Sequence, residues 1–200
     1  QFLKALEINP ESLDAIISIG NTYSKLNNYK KSLQFYNLAV KSNNKSYYAY
    51  QERGRFYQRK IKDYGKALED YNTSISLLDN KDRGPYYYRA SLFNEMGMPK
   101  QAIDDCKKTI ALNFLDPEGY YRLAEIHEKQ SSFIKSIINI SASIYFFEGM
   151  DKGEYFINDD QNKPLNLIDL YIYRGNLYNN INEKKSMCDD YNYALNLTKE

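Results

Sequence analysis

A period of about 34 residues runs through almost the whole of this 200-residue chain. In register, Gly20, Gly54, Ala90, Ala124 and Gly175 form one small-residue column, and three residues after each stands a ring: Tyr23, Tyr57, Phe93, His127 and Tyr178. Further on comes a second column of short side chains, Ser32, Ala67, Ala102 and Ser136, with Met187 in the last copy. A bulky column follows (Tyr36, Tyr71, Cys106, Ile140, Tyr191), then a short one again (Ala39, Ser74, Thr109, Ser143, Ala194). Fixed-period self-similarity marks a repeat array, whose units bury their apolar faces only against their neighbours.

Within the first copy, apolar residues fall at Ile16, Ile19, Tyr23 and Leu26, then at Leu33, Tyr36, Ala39 and Val40. Spacing by three and four is the mark of one apolar helical face. Each copy therefore reads as two antiparallel helices, A then B. The units run 13–46, 47–82, 83–116, 117–150 and 168–200, and residues 1–12 read as the trailing second helix of a preceding repeat. The chain is thus expected to open inside a repeat and to be a piece of a longer array. Breaks carry loop formers: Asn27–Asn28, Asn43–Asn44, Asp79–Asn80, and Gly97 with Pro99. The second unit has one extra residue near Ile61–Asp63, expected in the A–B turn, where insertion is cheap. The small columns predict close helix approach, since bulk there would force the pair apart.

These columns resemble the tetratricopeptide repeat, with small residues at repeat positions 8, 20 and 27 and rings at 4, 11 and 24. Position 4 reads Ile16, Tyr50, Tyr86, Tyr120 and Tyr171. The departures are the absence of tryptophan, the missing proline at most repeat ends, and Ser, Thr or Met in small columns. The resemblance implies an all-α fold, an alpha-alpha superhelix (solenoid) of helix-turn-helix repeats forming a single domain, and a role in protein binding. About seventeen residues, within 151–167, break the period and read as an insertion. This segment is polar and acidic around Tyr155-Phe156-Ile157, and is read as a solvated linker, as a helix extension with that apolar knot folded back on its neighbours, or as a partner-contact loop. Its Asp151, Glu154, Asp159 and Asp160 lack the spacing and glycine of a calcium loop.

One pattern departs from the family in a correlated way. Position 7 is Arg53, Arg89 and Arg174 in three units, and those units carry Asp70, Asp105 and Asp190 at position 23. The other two have Ile19 with Phe35 and Leu123 with Asn139. This predicts a bidentate Arg–carboxylate pair across each of the three hairpins, a geometry suited to arginine and not lysine. The alternative is that the arginines bind a ligand.

No constellation for catalysis stands out. The one histidine, His127, fills a ring column, and Cys106 and Cys188 read as small core fillers that leave the redox compartment undetermined. A metal site calls for more His or Cys, no glycine-rich phosphate loop is present, and no cofactor is expected. No stretch approaches the ~20 apolar residues of a membrane span. The net charge of +1 argues against a dedicated nucleic-acid or membrane surface, although residues 1–100 hold 16 Lys+Arg against 10 Asp+Glu and residues 101–200 hold 11 against 16. A basic stretch, Arg53, Arg55, Arg59, Lys60, Lys62 and Lys66, is the only pointer to RNA.

The resemblance implies a concave wall lined by helix A at positions 2, 5, 6, 9, 12 and 13. Carried over, the partner-binding groove comprises Asn21, Tyr48, Gln51, Arg55, Tyr87, Tyr88, Ser91, Tyr121, Arg122, Tyr173 and Asn176. Tyr and Arg are enriched in binding hot spots. The family's Lys/Asn clamp for a chaperone's C-terminal carboxylate is not expected, because position 5 offers Ile17, Gln51 and Tyr87 and no lysine. The leading expectation is a non-enzymatic module that binds a peptide or partner protein in this groove. The alternative is a structural spacer that assembles by end-to-end repeat stacking, with self-association possible.

Overall fold

The computed structural model of the chain describes residues 12–78, 82–149, 157–158, 163–164 and 166–199. It divides into two compact units, Gln1–Met98 and Pro99–Glu200, each taken here by itself. The first contains α1 (Leu13–Lys25), α2 (Tyr29–Ser42), α3 (Tyr47–Phe56), α4 (Tyr64–Ser76) and α5 (Gly84–Glu95). The second contains α6 (Pro99–Leu112), α7 (Pro117–Lys129), α8 (Phe133–Glu148), two strands β1 (Ile157–Asn158) and β2 (Lys163–Pro164), then α9 (Leu167–Asn180) and α10 (Lys184–Leu197). Hairpins α1–α2, α3–α4, α7–α8 and α9–α10 are the expected A–B pairs. The expected trailing helix lies in residues 1–11, outside the described residues. So does most of the 151–167 insertion, of which the antiparallel pair β1–β2 and residues 166–167 at the start of α9 are described.

Helix starts follow from local chemistry. The side chains of Ser12, Asn28, Ser46, Asp63, Asp116 and Asn166 each accept from a backbone N–H in the first turn of the following helix. Each A helix ends on a residue of positive φ: Asn27, Lys62, Gly97, Ser131 and Asn182. The next residue's N–H then bonds back to the carbonyl of the ring column: Asn28 to Tyr23 at 2.9 Å, Met98 to Phe93 at 2.8 Å, Ser132 to His127 at 2.8 Å and Glu183 to Tyr178 at 3.0 Å. This is a Schellman closure. The extra residue of the second repeat is not in the turn, as expected, but in the helix end. Tyr57–Ile61 winds as a π turn, Lys62 N–H bonds to the Tyr57 carbonyl, and Lys62 still supplies the left-handed residue. One widened turn absorbs the residue without disturbing the closure that follows.

The small column at position 8 meets position 20 and also makes room for position 24. A Cβ on Gly20 would lie 3.2 Å from Tyr36, one on Gly54 2.9 Å from Tyr71, and one on Gly175 2.5 Å from Tyr191. Glycine stands at position 8 where position 24 is tyrosine; alanine stands there where position 24 is Cys106 or Ile140. Serine in the other short columns is not a defect either. Ser32 donates to the Gly20 carbonyl at 2.8 Å and Ser136 to the Ala124 carbonyl at 2.7 Å. Ser74 donates to the Tyr47 carbonyl at 2.8 Å and Ser143 to the Pro117 carbonyl at 3.0 Å. Each hydroxyl is short enough for close approach and is satisfied by helix A.

The arginines of position 7 are three-way ties. Arg53 meets Asp70 bidentately at 2.8 and 2.9 Å, and Arg174 meets Asp190 at 2.7 and 2.9 Å. Of the third expected pair, Arg89 lies in the first unit and Asp105 in the second. Each guanidinium also reaches back to position 25 of the preceding repeat: Arg53 to Asn37 at 3.0 Å, Arg89 to Asn72 at 2.7 Å and Arg174 to Ser141 at 3.1 Å. Each lies within 6 Å of the ring centroid at position 4, over Tyr50, Tyr86 and Tyr171. Before the fourth repeat, one of the two that lack the arginine, position 25 is Lys107, which would repel one. Burial pushes the Asp70 carboxyl above its ordinary range and Arg53 pulls it back. Such pairs specify geometry more than they add net stability.

Cys106 is buried as expected, but Cys188 is exposed: α10 buries only Asp190 and Ala194 and packs against α9 on one side.

Three stability predictions follow from this packing. Gly54→Ala adds a better helix former, but against the fully buried Tyr71 it destabilises by about 1–2 kcal/mol net of propensity; urea unfolding checks this. Asp70→Asn alone strands Arg53 and costs about 2–3 kcal/mol, whereas Arg53→Leu with Asp70→Asn, the combination at Leu123 and Asn139, costs about 1 kcal/mol. A double-mutant cycle in which the double variant is the less stable contradicts it. Burial holds the His127 imidazole below its ordinary range, so the neutral ring is the folded form. Its contribution is complete above the unfolded value near ~6.5 and is lost as pH falls through the folded value. His127→Tyr flattens the acid-side decline of stability, read as ΔG of unfolding against pH.

Candidate interaction surface

In the first unit, the helix-A residues expected to line a groove separate into a buried layer and an accessible one. Gln51, Tyr87 and Ser91 are buried, Asn21 and Tyr88 are half-buried, and Tyr48 is exposed. Arg55 is half-buried and donates to both carboxylate oxygens of Glu52, at position 6 of the same expected wall, at 2.8 and 2.9 Å. Its guanidinium lies 4.5 Å from the Tyr88 ring centroid. Tyr88 stacks on Tyr71 at 6.3 Å and meets Tyr87 edge-on at 5.3 Å. The buried Glu52 also accepts from the Gln51 amide at 3.2 Å. Glu52, Arg55 and Tyr88 therefore form one connected strip, with Tyr48 beside it.

Beneath the strip, a chain of polar contacts fixes the wall. Tyr36 donates to Asn21 at 2.6 Å. Tyr71 donates to Gln58 at 2.7 Å, and Gln58 donates to Glu95 at 2.7 Å and Ser91 at 3.4 Å. Gln58, at position 12, was not among the expected residues, although its register alone marks it. Burial, reinforced by Glu52, pushes the Tyr36 and Tyr48 phenols up, so both remain protonated donors at neutral pH.

In the second unit, Tyr121 is half-buried and meets Tyr173 edge-on at 5.8 Å. Tyr173 donates to Glu128 at 2.7 Å, and burial and that carboxylate push its phenol up. Arg122 is buried against Glu125 at 2.6 Å. Asn176 is exposed and accepts from Tyr191 at 2.7 Å, as Asn21 does from Tyr36. The two asparagines at position 9 thus hold the tyrosines at position 24.

Among the described residues no three His, Cys, Asp or Glu converge to hold a metal. Burial pushes the Cys106 thiol up to about 12, so it is not a thiolate at neutral pH. Of the basic stretch, Arg53, Arg55, Lys62 and Lys66 each lie within 4 Å of a carboxylate. No described helix is long and apolar enough to cross a membrane.

The profile described as "Tetratricopeptide repeat" matches residues 13–46. The chain is 24% identical over 146 residues to "Tetratricopeptide repeat protein 6" of Homo sapiens, covering 72% of this chain and 27% of that one. It is 28% identical over 148 residues to "Anaphase-promoting complex subunit 3" of Schizosaccharomyces pombe, covering 72% and 21%. The chain thus spans about a quarter of the length of these curated relatives. Among solved structures, the Cut9–Hcn1 hetero-tetramer of the APC/C contains a chain that matches with a TM-score of 0.77 at 14% identity, over 99% of this chain and 36% of that one. Residues 13–46 match the tetratricopeptide repeat model, and the helical hairpins and the five-fold register of small and ring columns agree with that likeness.

Proposed function

We propose that this chain is a non-enzymatic module that binds a peptide or a partner protein along the helix-A face of its first unit. The fold supports a protein-interaction or assembly role, and the observation that favours this face is the strip Glu52–Arg55–Tyr88 with the exposed Tyr48. It combines rings, a guanidinium and protonated phenols on a wall held by buried hydrogen bonds. A pre-organised wall spares the partner much of the ordering cost of binding. An extended segment would lay apolar side chains on Tyr48 and Tyr88 and present amides to Arg55, Asn21 and the tyrosine hydroxyls. Nucleic acid fits less well, because four of the six basic residues already face carboxylates.

A second reading, assembly by end-to-end stacking, is favoured by an open apolar depression at the last repeat, lined by residues including Ile172, Tyr191 and Leu195.

Tyr48→Ala with Arg55→Lys keeps a cation against the buried Glu52 and leaves the stacking of Tyr88 on Tyr71 and the helix caps in place. Proteins retained from a lysate of the chain's own source by the wild type are expected to be lost by this variant, while its thermal unfolding stays within a few degrees. An identical retained set on both columns rules the strip out as the contact.

A further inference from the structure

We infer that two copies of this chain associate side by side through the outer face of α8, antiparallel about a two-fold axis. Ile134, Ile138 and Tyr145 are 59%, 62% and 72% exposed and lie on one face of this helix, the second of the fourth repeat. The face is peculiar to that repeat. Position 22 is Gln34, Glu69, Asp104 and Asp189 in the other four copies and Ile138 here. Position 18 is Lys30, Lys100 and Lys185 in three of them and Ile134 here. Lys100 with Asp104, and Lys185 with Asp189, have the i,i+4 charge spacing of a solvated helix face. A β-branched isoleucine loses side-chain freedom in a helix and recovers nothing for it when left in water. Two of them at consecutive turns, with a tyrosine two turns on, are unexplained by the packing of one chain.

The spacing selects a helix as occupant, and the residues select a copy of α8 itself. Ile134, Ile138, Ser141 and Tyr145 follow the four-three-four spacing of a coiled-coil seam. Turned antiparallel, this seam is self-complementary. Ile134 faces Tyr145 of the second copy, and Ile138 faces Ser141 of the second copy. Ser141 and the neighbouring Ala142 are short, so the two helices approach closely between the large residues. The seam is set before association: the Ser141 hydroxyl accepts from Arg174 at 3.1 Å, and Tyr145 is held edge-on to Phe146 at 5.3 Å. Charge fixes the direction. Lys135 in the first turn and Glu148 in the last are the only charged residues of α8, and both are exposed. That order opposes the helix dipole, which favours an anion at the start and a cation at the end. In the antiparallel pair, Lys135 comes within about one turn of Glu148 of the second copy and lies at the negative end of that helix. Three large side chains per copy cover less than the ~800 Å² that one side of a standard interface buries, so the association is weak and reversible, with Kd on the order of 10–100 µM.

Sedimentation velocity of the full 200-residue chain, in reducing buffer because Cys188 is exposed, is expected to show a reversible monomer–dimer equilibrium. Ile134→Lys with Ile138→Asp installs the residues that α6 and α10 carry at the same positions. It is expected to weaken the dimer at least 10-fold while the melting temperature stays within a few degrees. Lys135→Glu alone is expected to weaken it about 5-fold, since the two-fold repeats the contact, and adding Glu148→Lys is expected to restore it. The two residues stand about 20 Å apart along one helix and do not meet within a chain, so the rescue reads a contact between antiparallel copies. A chain that stays monomeric, or a dimer indifferent to Ile134→Lys/Ile138→Asp, overturns the inference. A dimer that the isoleucine variant weakens but the charge exchange does not restore overturns the antiparallel pairing. A monomeric chain whose melting temperature falls in the isoleucine variant gives the stripe to a cover within the chain and overturns it too. The Tyr48→Ala/Arg55→Lys chain is expected to dimerise as the wild type does, so a failure of the first-unit strip and a failure of this face are read separately.

Discussion

Three of the hairpins, α1–α2, α3–α4 and α7–α8, are each completed by an apolar side chain that belongs to the next one. Phe56 lies 5.1 Å from Tyr36 and closes the cluster of the first hairpin, Leu92 joins Tyr71, and Leu177 joins Ile140 and Ile144. A pair of helices of about 13 residues has too little surface to enclose a core of its own, so stability comes from the interfaces between successive repeats. The small columns, the hydroxyl ties to helix A and the arginines of position 7 all serve to keep that knob in register with its socket.

Within a hairpin, the close approach is set by a pair of positions and not by one. Glycine at position 8 makes room for a tyrosine at position 24, whose hydroxyl is then taken by Asn21, Gln58 or Asn176. The tyrosine fills the socket wall while its polar end is satisfied on the helix-A face. The pairing draws residues that look like ligand contacts into the scaffold. Asn21 and Asn176 are on the expected wall, yet each already serves a tyrosine.

The hairpins, their boundaries and the Arg–Asp register were legible because they repeat: a column read five times averages out the departures in any one unit. The π turn at Tyr57–Ile61 was not legible, since an extra residue fits a loop or a widened helix end equally well in sequence. The burial of Gln51, Tyr87, Ser91 and Arg122 was not legible either. A position on the inner face of helix A is covered or open depending on the helix that follows, and the family register carries no information about that neighbour's side chains. Position 25, by contrast, was present in the sequence and unread, because its partner lies in the next repeat.

The sequence by itself determined the repeat, the helical hairpins and the residues at which each helix starts and stops, since these depend on local spacing, caps and the small columns. Tertiary structure alone decided which of the tyrosines and arginines are scaffold and which are surface. That choice is made by packing between helices distant in sequence. Arg55 could have faced solvent, but the buried carboxylate of Glu52 one turn away and the ring of Tyr88 from another helix hold it in the wall.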